Sequence, residues 1–566
     1  MKTKFVPACA LVFAIGAGLT QPGAAAPAGP ASIPPGSGID GPTLLRHIAV
    51  LASDEFEGRA PASKGEQLTL AYLTAQFKQL GLTPGAADGG WLQKVPMRGI
   101  RSQPSFSYGT KGKRTSLAFP GDYVARSWLA QPKVDLAASE LVFVGYGVVA
   151  PEYNWDDYKG MDLRGKTLLM LINDPPIVDG ADPSRLDRAV FGGPAMTYYG
   201  RWTYKYEIAA RLGAAGAIII HETKPAAYGY DVLRAGAVGE GFMIAADGPN
   251  PDFPTVPGWI QLDKARAMLA SAGQDFDALK AAAARRDFKP VALGIDAAIS
   301  VSNQWRDVTS YNVLARIDGS DPRLKDEVVV YSAHWDHMGI DTTLPGPRTK
   351  QIYHGAQDNA SGVAGLLELA RAYKALPVAP LRSIVFLVTT GEEQGLLGSE
   401  YYVRAPVYPL AKTRININMD GLNMLGPMHD ISIVGLGRSN IDDMIAQIAR
   451  GQGRTVREDD PELGRFFRSD QFPFAKRGVP AVFTRSGVDM VGKPAGTGAR
   501  LMGRFRLEDY HHVSDVVNPA WDMGGAVQDL RLLFQLGYDV AQGRARPEWK
   551  AGAEFKAAHE ALMKAK

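Results

Sequence analysis

The second half of the sequence alternates apolar, β-branched runs with amphipathic segments, and this alternation constrains the fold more than any other feature. Four runs have the length and composition of buried strands, at residues 327–332, 383–389, 414–419 and 481–484. Apolar residues at helical spacing follow at 363–374, 441–450 and 522–536. Continuous apolar strands joined by amphipathic helices indicate a mostly parallel sheet that helices cover on both faces. We therefore predict an α/β fold.

Acidic and histidine motifs stand just past these predicted strands, or just before a predicted helix. The motifs are HWDH at 334–337, GAQDNASG at 355–362, GEEQG at 391–395, DG at 420–421 and DYHHVSD at 509–515. Ligands of open α/β sheets bind at the carboxyl ends of the strands. A single histidine or aspartate there is more often a cap or a loop ligand, but five such motifs in succession indicate a functional site.

The residue types in these motifs point to bound metal. Imidazole nitrogen and carboxylate oxygen without thiolate suit Zn²⁺ in an open catalytic site, with Mn²⁺ or Co²⁺ as substitutes. Asp336, two residues after His334, is placed to accept the second ring N–H of a ligating imidazole. One carboxylate can bridge two ions about 3.5–4 Å apart. Of the adjacent Glu392 and Glu393, one can bind metal while its neighbour takes a proton from water.

Composition excludes several other classes of protein. The chain has 566 residues, with 62 Lys+Arg against 59 Asp+Glu, and this near balance argues against a nucleic-acid partner. A content of 46% hydrophobic and 21% charged residues is typical of a soluble globular protein rather than a disordered one. The single cysteine, Cys9, excludes a disulfide framework and a cysteine-based metal site.

The first residues have the pattern of a secretory signal peptide, which we predict at 1–26. Lys2 and Lys4 precede an apolar run at 5–19, and small residues follow at 24–26. The run is shorter than the ~20 apolar residues of a membrane span. Residues 27–39, rich in Ala, Pro, Gly and Ser, are predicted to be a flexible leader. We expect a bacterial periplasmic or secreted protein with no membrane association after signal removal.

The five motifs, in this order, resemble those of metallopeptidase family 28, the co-catalytic dizinc exopeptidases. The opening LASDEFEGRAPASKG at 51–65 and FKQLGL at 77–82 also look like secreted members. The segment GRWTYKYEIAARLGAAGAIIIHE at 200–222 resembles a protease-associated (PA) domain. The resemblance implies a zinc-exopeptidase-like α/β domain, mostly parallel with helices on both faces, and an inserted small α/β PA-type module. We predict peptidase segments at 40–135 and 299–566, and the inserted module at 136–298.

The resemblance also implies a role for each metal-ligating residue. Asp358 would bridge two Zn²⁺ ions in each chain. His334 and Asp420 would complete one site, and Glu393 and His511 would complete the other. His511 is preferred over its neighbour because it stands four residues before Asp515, as the family spacing requires.

The implied catalytic residues are Glu392, as general base, and Asp336, which would orient His334. The expected activity is removal of N-terminal residues from peptides through attack by metal-activated water. A glutamate-carboxypeptidase-like exopeptidase and a non-catalytic PA-domain binding protein are the alternatives. The first needs cationic side chains near the metals, and spacing alone places no basic cluster there. A peptide substrate is expected, and a homodimer is compatible with this hypothesis.

Overall fold

The computed structural model describes residues 38–110, 112–246, 248 and 250–564. The predicted signal peptide, Cys9 and most of the predicted leader lie outside this part of the chain. Among the helices in the described ranges, none has the length and apolarity needed to cross a lipid bilayer.

Two capped helices open the described chain, α1 (Gly41–Leu51) and α2 (Lys64–Gln79). The Asp40 carboxylate accepts a hydrogen bond from the Thr43 N–H at 2.9 Å, which satisfies a free donor of the first turn of α1. Ser63 caps α2 in the same way by accepting from the Glu66 N–H. Both helices bury an apolar stripe in the main hydrophobic core.

Strands and helices then build the region that contains the predicted inserted module, called the module below. Its strands are β1 (Thr83–Pro84), β2 (Leu92–Thr110), β3 (Lys113–Leu117), β4 (Tyr123–Ala125), β5 (Lys133–Phe143), β6 (Val149–Ala150), β7 (Trp155–Asp156), β8 (Thr167–Leu171), β9 (Gly216–His221), β10 (Gly241–Ile244) and β11 (Val256–Gln261). Its helices are α3 (Trp202–Arg211), α4 (Thr223–Ala226), α5 (Tyr230–Val238), α6 (Leu262–Ser271) and α7 (Phe276–Ala283).

The module has two small hydrophobic cores, one on each face of its sheet. Strands β5, β8, β9 and β11 pair in parallel, and β4 closes the edge antiparallel to β11. Successive side chains point to opposite faces, so Leu169 lies in one core and Leu168 in the other. Helices α6 and α7 contribute to the first core, and α3 contributes to the second.

A single long strand, β12 (Val291–Ile317), connects the module to the rest of the molecule. It pairs antiparallel with β5 over its first half and with β2 from Asp296 to Val313. The last residues of β12 pair antiparallel with the strand Ser383–Thr389, which belongs to the second half of the sheet. The predicted boundary at 298/299 therefore falls inside one continuous strand.

The rest of the chain forms the second half of the sheet and its covering helices. Its strands are β13 (Val328–His334), β14 (Gly339–Ile340), β15 (Ile352–Tyr353), β16 (Ser383–Thr389), β17 (Thr413–Asn418), β18 (Asp430–Ile433), β19 (Thr455–Glu458) and β20 (Ala481–Ser486). Its helices are α8 (Ser361–Lys374), α9 (Leu397–Arg404), α10 (Ile441–Gly451), α11 (Gln471–Lys476), α12 (Thr497–Glu508), α13 (Gly524–Ala541) and α14 (Lys556–Lys564).

This half of the sheet is mostly parallel and is covered on both faces, as predicted. The strand order is β19-β18-β20-β17-β13-β16-β12, in which β20, β17, β13 and β16 are parallel neighbours. Every residue of β13 and β16 is buried. Val329 packs on the side of α1, α8 and α13, whereas Val328 packs on the side of α9 and α11.

Candidate metal centre

Three neighbouring parallel strands deliver acidic and histidine residues to one edge of the sheet. His334 is the last residue of β13, Asp420 lies two residues beyond β17, and Glu392 and Glu393 lie three and four residues beyond β16. Asp358 lies three residues before α8. Because β16, β13 and β17 are adjacent and parallel, their carboxyl ends share this edge.

Asp358 lies at the centre of the site, with one carboxylate oxygen toward each of two histidines. Its Oδ1 is 3.3 Å from His334 Nε2, and its Oδ2 is 3.2 Å from His511 Nε2. His334 Nε2 also lies 3.4 Å from Asp420 Oδ1. His511 Nε2 lies 3.1 Å from Glu393 Oε2. All five residues predicted as ligands are therefore together, in two groups that share Asp358.

Glu392 is the fourth carboxylate of the cluster. Its Oε2 is 3.9 Å from His334 Nε2, too far for a hydrogen bond, so the carboxylate faces the site without being paired in it. His334, Glu392 and Asp420 form one possible cation-binding group, and His334, Asp358 and Glu393 form another. Nitrogen and oxygen donors without sulfur fit Zn²⁺ or a similar divalent ion. With both imidazoles neutral, as metal binding requires, four ionised carboxylates would carry the charge that two divalent ions balance.

Mutual contacts determine the protonation of these buried groups. Burial opposes charge on both imidazoles, but the carboxylates around them raise the pKa of His334 and of His511 well above the usual value. Burial also opposes charge on Asp358, yet hydrogen bonds with both histidines hold the pKa of that carboxyl well below its usual range. Metal binding requires neutral imidazole, so a cation entering this site displaces protons from the histidines.

Comparison with known proteins agrees with this geometry. Residues 312–534, which contain all five predicted ligands, match the model of peptidase family M28. These residues form an M28 peptidase domain. The region before the match includes the module, β2 and most of β12.

Curated relatives of this chain include leupeptin-inactivating enzyme 1 of Streptomyces exfoliatus, 30% identical over 182 residues. Leucine aminopeptidase 2 of Trichophyton rubrum is 30% identical over 213 residues. The aligned parts cover 32% and 35% of this chain, and 37% and 38% of those two proteins. A solved aminopeptidase from Aneurinibacillus sp. strain AM-1 aligns over 89% of this chain and 94% of its own, at 18% identity and a TM-score of 0.48.

Asp336 positions the glutamate loop of the M28 domain. Its carboxylate accepts hydrogen bonds from the main-chain N–H groups of Glu392, at 3.1 Å, and Glu393, at 3.4 Å. His334 Nδ1 lies 3.1 Å from the Asp336 main-chain carbonyl oxygen and 3.9 Å from its carboxylate. The contact that orients His334 therefore runs through the main chain of Asp336. Burial raises the pKa of the Asp336 carboxyl to about 7.

Two further aspartates hold the loops of the site. Asp515 accepts main-chain hydrogen bonds from Gln357 at 2.9 Å and from Asp358 at 3.0 Å, which fixes the loop before α8. Asp470, fully buried, accepts from the hydroxyl groups of Thr389 and Ser399. Each oxygen of both carboxylates accepts one of these bonds, and the bonds support the neighbouring elements.

The His-rich loop places its two histidines differently. His511 faces Asp358 and Glu393, whereas the Nδ1 of His512 contacts the main-chain carbonyl of Tyr510 and the side chain is turned away from the cluster. The Tyr510 ring stacks on His511 with centroids 3.9 Å apart, a contact that the sequence did not predict. His337 adds a 2.7 Å contact between its Nδ1 and Glu393 Oε1.

Arg59 is a structural residue of the site that sequence reasoning missed. Its guanidinium is buried and donates to four main-chain carbonyls, those of Leu51, Trp335, His354 and Gly355. Trp335 follows His334, and Gly355 begins the motif that contains Asp358. Arg59 thus ties two ligand-bearing loops together. Its position 275 residues before His334 gave no local signal of this role.

Proposed function

We propose that this chain is a secreted zinc-dependent exopeptidase that removes N-terminal residues from peptides. Membership of the M28 domain in a peptidase family supports peptide substrates. The name of the leucine aminopeptidase relative supports action at the amino end. The observation that carries the proposal is the position of Asp358, which presents separate oxygens to His334 and His511.

In this proposal two Zn²⁺ ions share Asp358. His334 and Asp420 would hold one ion, and Glu393 and His511 would hold the other, with Mn²⁺ or Co²⁺ as substitutes. When bound, the pair of ions would lower the pKa of a water molecule and polarise the scissile carbonyl.

Glu392 would be the general base and acid of the reaction. Its carboxylate faces the cluster, with Oε2 3.9 Å from His334 Nε2. Within the described residues this carboxylate makes no hydrogen bond. Burial raises its pKa well above the usual range, which strengthens the carboxylate as an acceptor of a proton. It would accept the proton of the attacking water and deliver it to the leaving amine. Asp336 would hold its main chain in place.

The module would form one wall of the cleft, as a PA-type insertion at 136–298. A contact supports this position, because the Phe242 N–H donates to the Gln394 side chain at 3.3 Å. Gln394 follows Glu393 directly, so the module reaches the loop that carries both glutamates. We propose that this wall limits which peptides approach the metals.

The test is hydrolysis of Leu-p-nitroanilide and of its N-acetylated analogue, before and after chelation and with zinc added back. The proposal predicts cleavage of the free-amine compound alone, loss of cleavage on chelation, and recovery with zinc. Cleavage of neither compound, with zinc bound, would favour a carboxypeptidase instead. Cleavage of neither and no bound metal would favour a binding protein.

A carboxypeptidase is the second candidate because one observation supports it. Phe483 of β20 pairs with Asn418 of β17. Arg485 comes two residues after Phe483, and Asp420 comes two residues after Asn418. A cation beside the metal ligands is what a C-terminal carboxylate would need. Assay of N-acetylated dipeptides with free C-termini separates the two exopeptidases.

A further inference from the structure

His337 contacts one of the two carboxylate oxygens of the candidate metal ligand Glu393. Its Nδ1 lies 2.7 Å from Glu393 Oε1. The other oxygen, Oε2, faces His511 Nε2 at 3.1 Å. A metal-binding carboxylate is ionised and can only accept hydrogen bonds, so the Nδ1 of His337 carries the hydrogen of this contact. The two oxygens of Glu393 are therefore divided between a hydrogen-bond donor and the metal centre.

The His337 ring is held in this position from several sides. Its side chain is fully buried, and its main-chain N–H donates to the Arg59 carbonyl at 3.3 Å. A β-carbon at Gly355 would lie only 2.6 Å from the Cγ and Cδ2 atoms of the ring, so the ring packs directly on this glycine. The ring of His511 meets it edge to face, with centroids 5.9 Å apart. The imidazole therefore has little room to turn away from Glu393.

The second ring nitrogen of His337 is buried without a partner. Its Nε2 makes no hydrogen bond within the described ranges of the chain. A buried polar atom without a partner is costly, whereas an apolar side chain of similar shape would avoid that cost. Packing alone therefore does not account for a histidine at this position. The contact that an apolar side chain could not make is the one with Glu393.

The Asp420 carboxylate, a candidate ligand on the other side of Asp358, has no support of this kind. Within the described residues, its one hydrogen-bonding contact is with His334, at 3.4 Å. The Asp420 side chain is 20% exposed, against 6% for Glu393. The two halves of the site therefore differ in how firmly their carboxylates are held.

We propose that His337 is a positioning residue, which engages Oε1 of Glu393 so that this carboxylate offers a single oxygen to the ion shared with His511. Hydrogen-bonded partners of metal ligands orient those ligands and raise metal affinity. A carboxylate that binds through one oxygen also leaves a coordination position open, as a catalytic zinc requires. The inference rests on the proposed function and adds that the two ions depend unequally on the surrounding chain.

The first test compares two variants of similar shape, His337→Asn and His337→Leu, by zinc titration against a competing chelator. The amide of asparagine can donate to Glu393, whereas leucine cannot. For His337→Leu we expect the dissociation constant of one zinc ion to rise about 10- to 100-fold, and that of the other to change by less than about threefold. His337→Asn should recover most of the lost affinity. Both constants within about threefold of wild type in His337→Leu would overturn the assignment.

A control separates this role from general support of the fold. His47→Leu removes a partly buried imidazole whose Nδ1 contacts the Tyr72 hydroxyl at 2.6 Å, between α1 and α2. This variant should bind both zinc ions as the wild type does. Thermal unfolding of the metal-free proteins verifies that each variant folds. Equal weakening of both ions by His337→Leu would contradict the assignment, because a positioning role acts on one ion.

The second test needs no variant. A crystal structure of the zinc-loaded wild-type protein should show one Glu393 oxygen bound to zinc and the other hydrogen-bonded to His337. Coordination of one ion by both Glu393 oxygens, in a protein that hydrolyses Leu-p-nitroanilide, would overturn the role of His337 and leave the proposed function standing. Absence of bound zinc and of hydrolysis in the wild-type protein would overturn the proposed function itself.

Discussion

The two ends of the same three strands treat charge in opposite ways. At the amino end, Glu327 directly precedes β13 and is bound by Arg382 at 2.7 Å and by Arg414. At the carboxyl end, His334 and its neighbours gather carboxylates with no arginine or lysine paired to them in the described residues. At the amino end the carboxylate is paired with arginines of the chain. At the carboxyl end the carboxylates have no such partners, and in the proposed function metal ions balance their charge. The ion pairs that stabilise the fold therefore lie at one end of these strands, and the candidate catalytic site lies at the other.

Substitution of Asp358, the proposed bridging ligand, should have the largest effect at the carboxyl end of the strands. Asp358→Ala takes away the carboxylate that faces both histidines, so we expect loss of both metals. Activity should fall at least ~1,000-fold, equivalent to ~4 kcal/mol in the barrier. Zinc content per chain and kcat/KM are the measurements, with the exposed Asp443→Ala as control. Two zinc ions retained in full would refute the bridging role.

Substitution of Glu392 separates metal binding from proton transfer at the same end. Glu392→Ala should keep the bound metal, because the ligand contacts of Asp358 do not involve it. We expect kcat to fall about 100-fold or more, which is the usual contribution of a general base. The comparison of zinc content with kcat measures this. Activity within about tenfold of wild type would exclude Glu392 as the base.

Substitution of Arg59 tests whether the loops at the carboxyl end of the strands depend on a guanidinium from a distant part of the sequence. Arg59→Met keeps the length of the side chain but removes a donor from four buried carbonyls. Of these, the Gly355 carbonyl still accepts from the Ala360 N–H at 3.1 Å. The free energy of unfolding should fall by about 2 kcal/mol or more, and zinc affinity should fall with it. Urea unfolding and zinc titration report the two effects. A change of less than ~0.5 kcal/mol would show that the loops hold without Arg59.

At the amino end of the strands, the ion pairs of Glu327 should make the free energy of unfolding depend on pH. Burial opposes charge on Glu327, but hydrogen bonds from Arg414 and Arg382 lower its pKa to about 2 from an ordinary value of 4.5. A lowered pKa contributes stability that is fully present above pH 4.5 and is lost as pH falls toward 2. Glu327→Gln should therefore reduce the free energy of unfolding by about 2 kcal/mol at neutral pH, with activity unchanged.

The same variant gives a control through its pH dependence. The difference in unfolding free energy between wild type and Glu327→Gln should shrink below pH 4.5, because Glu327 then takes up a proton in the unfolded chain while its folded pKa is about 2. A difference that stays constant from neutral pH to pH 3 would contradict the ion-pair explanation.

The clustering of the candidate metal ligands was largely predictable because these residues follow strands whose burial is evident from the local sequence. The prediction 383–389 coincides with β16, and His334 and Asp420 lie at the ends of neighbouring strands. The supporting residues were not predictable in the same way. Arg59 acts through main-chain carbonyls far along the chain, and those carbonyls have no signature in residue identity.

The contacts between the module and the M28 domain were missed for a related reason. Arg468 donates to the Ala226 carbonyl and lies over the Tyr228 ring, and both partners are distant from it in sequence. Strands β2 and β12 were also not predicted at their full length, because exposed residues interrupt their apolar pattern.

The length of β12 has a mechanical consequence. A hinge needs a few residues that can change their dihedral angles without losing partners. From Asp296 to Ile317, β12 is hydrogen-bonded to β2 or to β16 along its whole course, and this stretch crosses from the module into the M28 domain. Because the residues of this stretch keep their hydrogen bonds in the sheet, β12 offers no hinge about which the module could move as a lid. With the module as a wall of the cleft, as proposed above, we expect this wall to keep a fixed position and so to select peptides by their size and shape.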